Sequence, residues 1–281
     1  MREDLFAVAA ALLPGEDLSH ATLGKGGSHH VVLLPDVAAV RIARQPSAVE
    51  ALPRRVELLR RLQGVGLPFA VPEPLTDVIE VDGHAAVALS WLSGSPLPLR
   101  TQVDPNELCR QLDALRAVDC TALAGLLGEP HEYAGGRRWA SVMIDEVIPR
   151  LAKDWQDEAR RRIDAALALP EVHPSLVHGD LAGENQHWSP AGRLIGVLDW
   201  DLAQPFDPAV DAACLAWYGW DTVAAAVGAP TLHRAQTWYR TFGLEQVAFE
   251  VLNGASEELV DQRCVAAAAW LERTAKFPSH D

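Results

Sequence analysis

The sequence has no CxxC pair, no apolar run approaching the length of a membrane span, no internal repeat and no excess of base. Each absence removes a class of protein. Cys109, Cys120, Cys214 and Cys264 are scattered along 281 residues. They form neither a disulfide frame nor a thiolate zinc site, and read as buried free thiols of a reducing cytoplasm. The apolar runs are too short to cross a bilayer, so no membrane partner is expected. The opening MREDLFAVAAALLPGED carries two acids against one base before its apolar run, and PGED where a cleavage site needs small residues. That pattern reads as an amphipathic first helix and not as a secretion signal. Without repeats or low-complexity tracts, solenoids and linkers are excluded.

Lys and Arg total 24 against 38 Asp and Glu, a net charge of −14. A nucleic-acid partner wants a basic face, so none is expected. Acidity first of all keeps a protein soluble, and it is also compatible with a cationic substrate drawn by a negative field. What the chain does have is 49% apolar residues. That is enough for a large core in one or two domains.

The first hundred residues look mixed. A helix over roughly 3–13 ends at Pro14-Gly15. LGKGGSHHVVLLPDVAAVRIAR then reads as a hairpin, with VVLL and AAVRIA as strands and Pro35-Asp36 at the turn. Residues 48–63 place Val56, Leu58, Leu59 and Leu62 at helical spacing, with Pro53 near the helix start. VPEPL and DVIEVDGHAAVALSWL predict further strands around an Asp82-Gly83 turn. Ser93-Gly94-Ser95-Pro96 is a natural boundary, giving a β-rich N-lobe over 1–95 and a C-lobe over 96–281. Helices are expected over 104–118, 137–152, 154–169, 208–227, 231–241 and 256–274, with one short strand pair among them.

That strand pair surrounds LVHGDLAGENQHW, where an apolar approach breaks into a polar loop. Loops on rigid scaffolds are where reactive groups are displayed. Three pieces belong together: His178-Gly179-Asp180-Leu181-Ala182-Gly183-Glu184-Asn185, the strand LIGVLDW ending in Asp199, and Gly24-Lys25-Gly26-Gly27-Ser28. Phosphoryl transfer from ATP needs a carboxylate for the acceptor hydroxyl, oxygen ligands for Mg²⁺ and backbone amides over the phosphates. Each need finds a candidate, and the step from Asp180 to Asn185 has the spacing of the protein-kinase catalytic loop.

Here the sequence resembles the aminoglycoside-phosphotransferase family of small-molecule kinases, whose loop commonly reads HGDLxxxN and is followed by a strand ending in a metal-binding Asp. The resemblance implies a two-lobe, protein-kinase-like α+β fold with ATP, or GTP, between the lobes. It implies Asp180 as catalytic base, Asn185 and Asp199 as Mg²⁺ ligands, and Gly26, Gly27 and Ser28 over the phosphates. Backbone groups of Ser90, Trp91 and Leu92 would meet adenine, and Asp211 of DPAVD would brace the catalytic loop, with His178 orienting it. Phe206 stands where the family has a glycine. The strand AVRIAR offers Arg41 or Arg44 and no Lys for the α/β-phosphates, with Glu57 or Glu50 as its partner. An Arg keeps the charge but grips oxygens as a planar fork.

Within the family, LLPGED, GGSHHVV, ALPRRVELLRRLQGVGLPFAVPEPL and VHGDLAGEN resemble the viomycin and capreomycin phosphotransferases, which act on a hydroxyl of a cationic cyclic peptide antibiotic. That branch implies a resistance kinase of the cytoplasm, monomeric or homodimeric. Glu184 and Asp201 are the candidate carboxylates for the cationic substrate. An aminoglycoside or macrolide O-phosphotransferase is the alternative within the same chemistry. A nucleotide-binding module without catalysis is the alternative from another class, if Arg41 cannot replace the Lys. A metallohydrolase built on His173, His178, His187 and Asp180 lacks the tight spacing of zinc sites. Asp201 can equally cap a turn, Arg160-Arg161-Arg162 reads as the solvated face of a helix, and His29-His30 as phosphate contact or strand edge. Trp217, Trp220, Trp238 and Trp270 are expected mostly in the core, with one or two lining the substrate site.

Overall fold

In the computed structural model, residues 2–24, 26 and 28–275 are described. The chain divides into two compact units. The first contains residues 1–99, 121–126 and 182–201, and the second 100–120, 127–181 and 202–281. The sequence boundary near Ser93–Pro96 therefore falls close to the first unit's end at Leu99, but that unit also takes up Ala182–Asp201 from far down the chain.

The first unit is a five-stranded antiparallel sheet, β1 (Thr22–Gly24), β2 (His29–Leu34), β3 (Ala38–Ala43), β4 (Ile79–Val81) and β5 (His84–Ser90), in the order β1-β2-β3-β5-β4. Helix α1 (Arg2–Leu12) places Leu5, Val8, Ala9 and Leu12 on one face, at the spacing of successive helical turns. That face packs with Val32, Leu34, Val40, Ile42, Ala86 and Ala88 from the sheet. The β4–β5 hairpin closes through Asp82 and Gly83 at φ 50° and 78°. Two positive φ values in succession match the twist of the flanking strands. Helix α2 (Pro46–Leu62) starts with Pro46 in its first turn, where the missing N–H costs nothing. Pro53, expected at the start, sits inside the helix instead. VPEPL forms no strand, only an isolated bridge at Pro74, with a second at Ala70 just before it.

A second hairpin, β7 (Gln186–Trp188) with β8 (Leu194–Val197), joins this unit. Ala70 donates to Ile195 O (2.9 Å) and Val197 donates to Ala70 O (2.9 Å), while Ser95 and Trp188 exchange backbone bonds of 3.3 and 3.0 Å. These pairings between distant stretches are why residues 182–201 belong here. No periodicity within the stretch announces them.

The second unit is built on helices α3 (Pro105–Arg116), α4 (Trp139–Ser141), α5 (Lys153–Leu167), α6 (Ala209–Cys214), α7 (Trp220–Ala226), α8 (Ala229–Tyr239), α9 (Phe242–Leu252) and α10 (Glu257–Thr274), with strands β6 (Ser175–Val177) and β9 (Gln204–Phe206) paired antiparallel. The helix expected over 137–152 is broken into short turns around α4 and a π-helical stretch, Val142–Val147, and stops at the turn holding Pro149. The helix expected over 208–227 breaks at Gly219, which has φ 96°. Helix α9 was not anticipated, although Leu244, Val247 and Ala248 form its buried stripe. Two short strand pairs replace the one expected. The four thiols are half-buried and free, not buried. Among the described residues no helix is long and apolar enough to cross a membrane.

The arginine run of α5 divides. Arg160 and Arg161 are solvated, each paired within its own helix to Asp164 or Glu158. Arg162 is buried, which corrects the reading of all three as a solvated face. Its Nε donates to Glu158 (2.7 Å), Nη1 to Thr274 Oγ1 (2.5 Å) and Nη2 to Leu271 O (2.5 Å), joining α5 to α10. Truncating a buried, hydrogen-bonded charge strands its partners. Arg162→Ala should therefore lose about 3–5 kcal/mol in urea unfolding, whereas Arg160→Ala and Arg161→Ala should stay within about 0.5 kcal/mol of the parent. Equal losses in all three would refute this division.

Candidate active site

In the second unit, β6 is fully buried and delivers His178, which has no exposed surface. Gly179 follows at φ 85°, and a Cβ there would lie 2.5 Å from Leu202 O. Only glycine makes this turn. Asp211, at the start of α6, is 1% exposed. Its Oδ2 accepts the His178 N–H (2.8 Å) and its Oδ1 the Gly179 N–H (3.0 Å). One carboxylate thus holds two successive amides where the strand ends. His178 Nδ1 accepts the Asp180 N–H (3.2 Å), which puts the neutral ring's proton on Nε2. Asp180 emerges half-buried from this turn. Burial pushes the Asp211 carboxyl up to about 6 from 3.8, with the two amide bonds pulling against it.

Sequence reasoning missed Asp207. Its Oδ1 accepts the Ala209 N–H at the start of α6, while Oδ2 accepts from Arg234 Nη2 (2.6 Å) and Trp238 Nε1 (2.7 Å). The signal was present as an acid two residues before a helix. Phe206 needs no glycine conformation because it is a strand residue, packed on His131 (4.8 Å) and Trp238 (5.2 Å) between ring centroids. Glu245 was also missed. It is buried and accepts from Tyr133 Oη, Trp139 Nε1 (3.2 Å) and Thr241 Oγ1 (3.0 Å). Trp238 belongs to this core, whereas Trp217, Trp220 and Trp270 are half-buried.

The chain enters the first unit between Leu181 and Ala182, two residues after Asp180. Asn185 precedes β7, and its carbonyl accepts the Leu198 N–H (2.8 Å). That bond sets Asn185 across the ladder from the residue before Asp199. Asp199 has φ 54°, in the sparsely used left-handed region, and its side chain is 49% exposed. Strained, exposed carboxylates at strand ends concentrate at functional sites. An amide oxygen and a carboxylate suit a hard cation that keeps phosphate and water ligands, the habit of Mg²⁺. Among the described residues no group of three His, Cys, Asp or Glu side chains is placed to hold a metal. Glu184 is exposed beside them.

Arg41 on β3 turns to Asp201. Its Nη1 donates to Oδ1 (3.0 Å) and its Nη2 to Oδ2 (2.6 Å), with Asp199 Oδ1 at 3.6 Å. Arg55 from α2 brings Nη1 to 2.9 Å of Asp201 Oδ2. His29 is buried, and its Nδ1 accepts from Arg41 Nη2 (3.0 Å), with Ser28 Oγ at 2.8 Å. Burial pushes the His29 ring down to about 4 from 6.5, and the Arg41 charge adds to the effect. Burial works against the Asp201 carboxylate, but the Arg41 charge and fork overcome it and hold the group below the usual range.

Two expectations are corrected here. Glu57 pairs with its helix neighbours Arg61 (2.8 Å) and Arg60 (3.8 Å), not with Arg41. Asp201 is not open to a substrate, because its carboxylate is 12% exposed and taken up by arginines. Arg44 instead reaches Gly26 O (3.3 Å). At Gly26 a Cβ would meet His29 O at 2.5 Å, so the hairpin admits no side chain there. Gly27 lies outside the described residues. Ser90 N–H is bonded to Glu73 O (2.8 Å) and Trp91 N–H to Val37 O (3.4 Å), so neither N–H is open to donate to adenine. The Leu92 N–H has no backbone partner among the described residues. His187 serves structure, its Nδ1 lying 3.1 Å from the carbonyls of both Leu92 and Ser93.

Residues 20–250 match the profile of the Phosphotransferase enzyme family. The chain belongs to this family. It is 30% identical over 273 residues to viomycin phosphotransferase of Streptomyces vinaceus, covering 89% of this chain and 93% of the relative. The fold is shared with the GDP and kanamycin complex of APH(2″)-IIIa at TM-score 0.79 and 17% identity, covering 97% and 99% of the two chains. It is also shared with the macrolide 2′-phosphotransferase MphH of Brachybacterium faecium at TM-score 0.68 and 22% identity, covering 99% and 100%. These likenesses establish the kinase-like α+β fold of a phosphotransferase.

The shifted groups make a pH test of the two units. Asp211 titrates near 6 when folded against 3.8 otherwise, so its stabilisation is complete below pH 3.8 and is lost as pH rises through about 6. His29 runs the other way: its stabilisation is complete above pH 6.5 and is lost as pH falls through about 4. The two slopes offset each other in the parent protein. Asp211→Asn should lose stability on acidification more steeply than the parent, and His29→Gln less steeply. Urea midpoints at pH 6.5, 5.5 and 4.5 read both slopes. Variants that track the parent across this range count against the assignment.

Proposed function

We propose that the protein transfers the γ-phosphoryl group of ATP to a hydroxyl of a cationic peptide antibiotic of the viomycin and capreomycin type. The observation that carries the substrate class is the 30% identity to viomycin phosphotransferase along 89% of the chain. The net charge of −14 suits a cationic acceptor. Charge alone does not separate peptide antibiotics from aminoglycosides.

The chemistry rests on Asp180. Its carboxylate accepts or orients the proton of the acceptor hydroxyl, whose oxygen forms the new bond to the γ-phosphorus. In line with it the bond to the β,γ-bridging oxygen breaks, and ADP leaves with that electron pair. Asp211 keeps in place the two loop amides that precede Asp180. Mg²⁺, held by Asn185 and Asp199, supplies neutralisation of the phosphate oxygens when bound. Arg41 stands at the triphosphate, with Gly26 and Ser28 as the residues proposed to lie over the phosphates. The exposed Glu184 is the carboxylate left for the cationic acceptor now that Asp201 is engaged.

Asp180→Asn should keep Mg·ATP affinity and lower kcat by about 10²–10⁴-fold, the range for loss of a positioned base. Turnover near the parent's would remove Asp180 from the reaction. Asp199→Ala should weaken Mg·ATP binding in calorimetry while leaving the unfolding midpoint nearly unchanged, and unaltered affinity would exclude it as a ligand.

The acceptor is tested by expression in a sensitive bacterium, with ATP and GTP compared as donors in vitro. Protection against viomycin or capreomycin, with drug one phosphate heavier by mass spectrometry, is the expected result. Protection against kanamycin or erythromycin alone would leave the chemistry standing and remove the peptide class.

A further inference from the structure

The cluster around Asp201 has an arrangement that the proposed phosphate site leaves unexplained. Asp201 Oδ1 and Oδ2 are both taken by the Arg41 fork, and Oδ2 also faces Arg55 Nη1 at 2.9 Å. A planar guanidinium and a carboxylate joined by two parallel bonds have one relative orientation. The side chains are 14% exposed for Arg41, 12% for Asp201 and 18% for Arg55. Buried charge of this kind needs its partner. Arg55 has few alternatives. Its Nε and Nη1 are shielded from solvent and make no hydrogen bond among the described residues, so the nearby Asp201 carboxylate is its electrostatic anchor. His29 is similar, since its Nδ1 accepts from Arg41 and its Nε2 has no partner among the described residues. Two cations therefore converge on one acid, from β3 and α2, and His29 of β2 accepts from one of them.

We propose that Asp201 is a positioning residue for the phosphate-binding Arg41, anchored from behind by Arg55, and that it touches neither the antibiotic nor the metal. The proposal rests on the nucleotide reading given above. The acid that orients the β3 cation comes from two residues after Asp199, and helix α2 contributes a second cation where a glutamate was expected. The physical consequence lies in the geometry of Arg41. With both Nη atoms committed to Asp201, its remaining Nη1 and Nε hydrogens point in directions set by the fork, and the stem loses rotamer freedom before nucleotide arrives. Such pre-organisation acts on triphosphate affinity. It should leave the purine and the acceptor alone.

Asp201→Asn and Arg55→Met test this, with Mg·ATP and adenosine as calorimetric probes and acceptor KM as a separate readout. Asp201→Asn should weaken Mg·ATP by roughly 10- to 100-fold, the span of one or two charge-assisted bonds. Adenosine affinity and acceptor KM should stay unchanged. Arg55→Met should show a smaller loss of the same kind, restored in part by Arg55→Lys. A merely structural defect would lower adenosine binding in parallel, and that outcome overturns the proposal. So does a raised acceptor KM with Mg·ATP affinity intact, which would return Asp201 to the substrate. Unchanged affinity for Mg·ATP in Arg55→Met and Arg55→Lys, both folded by thermal melting, removes the anchor and overturns it as well. Failure of the parent protein to bind Mg·ATP at all would instead sink the underlying kinase reading.

Discussion

Asp211 is the constraint on which the reactive loop depends. Two backbone amides at the end of a buried strand would be orphaned if the loop turned away without a partner, and orphaned buried amides are costly. A single carboxylate with two oxygens satisfies both. It can do so only from a buried position at the start of α6, where Asp207 secures the first turn of the helix and is itself secured by Arg234 and Trp238. The cost appears as a carboxyl raised to about 6. The same arrangement places Asp180, two residues after the first of those amides, beyond the end of β6.

The first unit solves a comparable problem with charge. A β3 arginine near two carboxylates must be oriented, or it becomes a flexible cation among several anions. The fork with Asp201 orients it, and the charge of Arg55 offsets the burden of burying the acid. The β7–β8 hairpin, stitched to Ala70 and Ser95, brings Asn185, Asp199 and Asp201 into the unit that holds the strand of Arg41. Three residues proposed to work on one nucleotide are thus carried by a stretch of 20 residues whose neighbours in sequence belong to the other unit.

Much of this was legible because the chemistry acts through short spacing. His178, Gly179, Asp180 and Asn185 lie within one loop, and Asp199 ends the next strand but one. The β2–β3 and β4–β5 hairpins were legible from their turn residues, and α1 from its periodicity. The errors share one cause. Arg162 looks like its two neighbours in a charge run, yet the angle of 100° per residue turns it into the core. Glu57 looks like a partner for Arg41 from its place on α2, but the face that meets β3 carries Arg55 instead. Glu245 gave no sign, since an isolated acid in an apolar helix declares its burial only through the tyrosine and tryptophan that reach it from residues 133 and 139.

The sequence by itself determined the family, the reactive loop and the alternation of strand and helix, because these depend on residue type and local spacing. Tertiary structure alone decided which charges pair. Arg41 and Asp201 are 160 positions apart, and Asp211 reaches its two amides across 33 and 32. Separations of that size carry no periodic signal. Which partner a buried charge takes is settled by which one the packed backbone brings within hydrogen-bond reach, and burial then makes that choice the one with the lowest electrostatic cost.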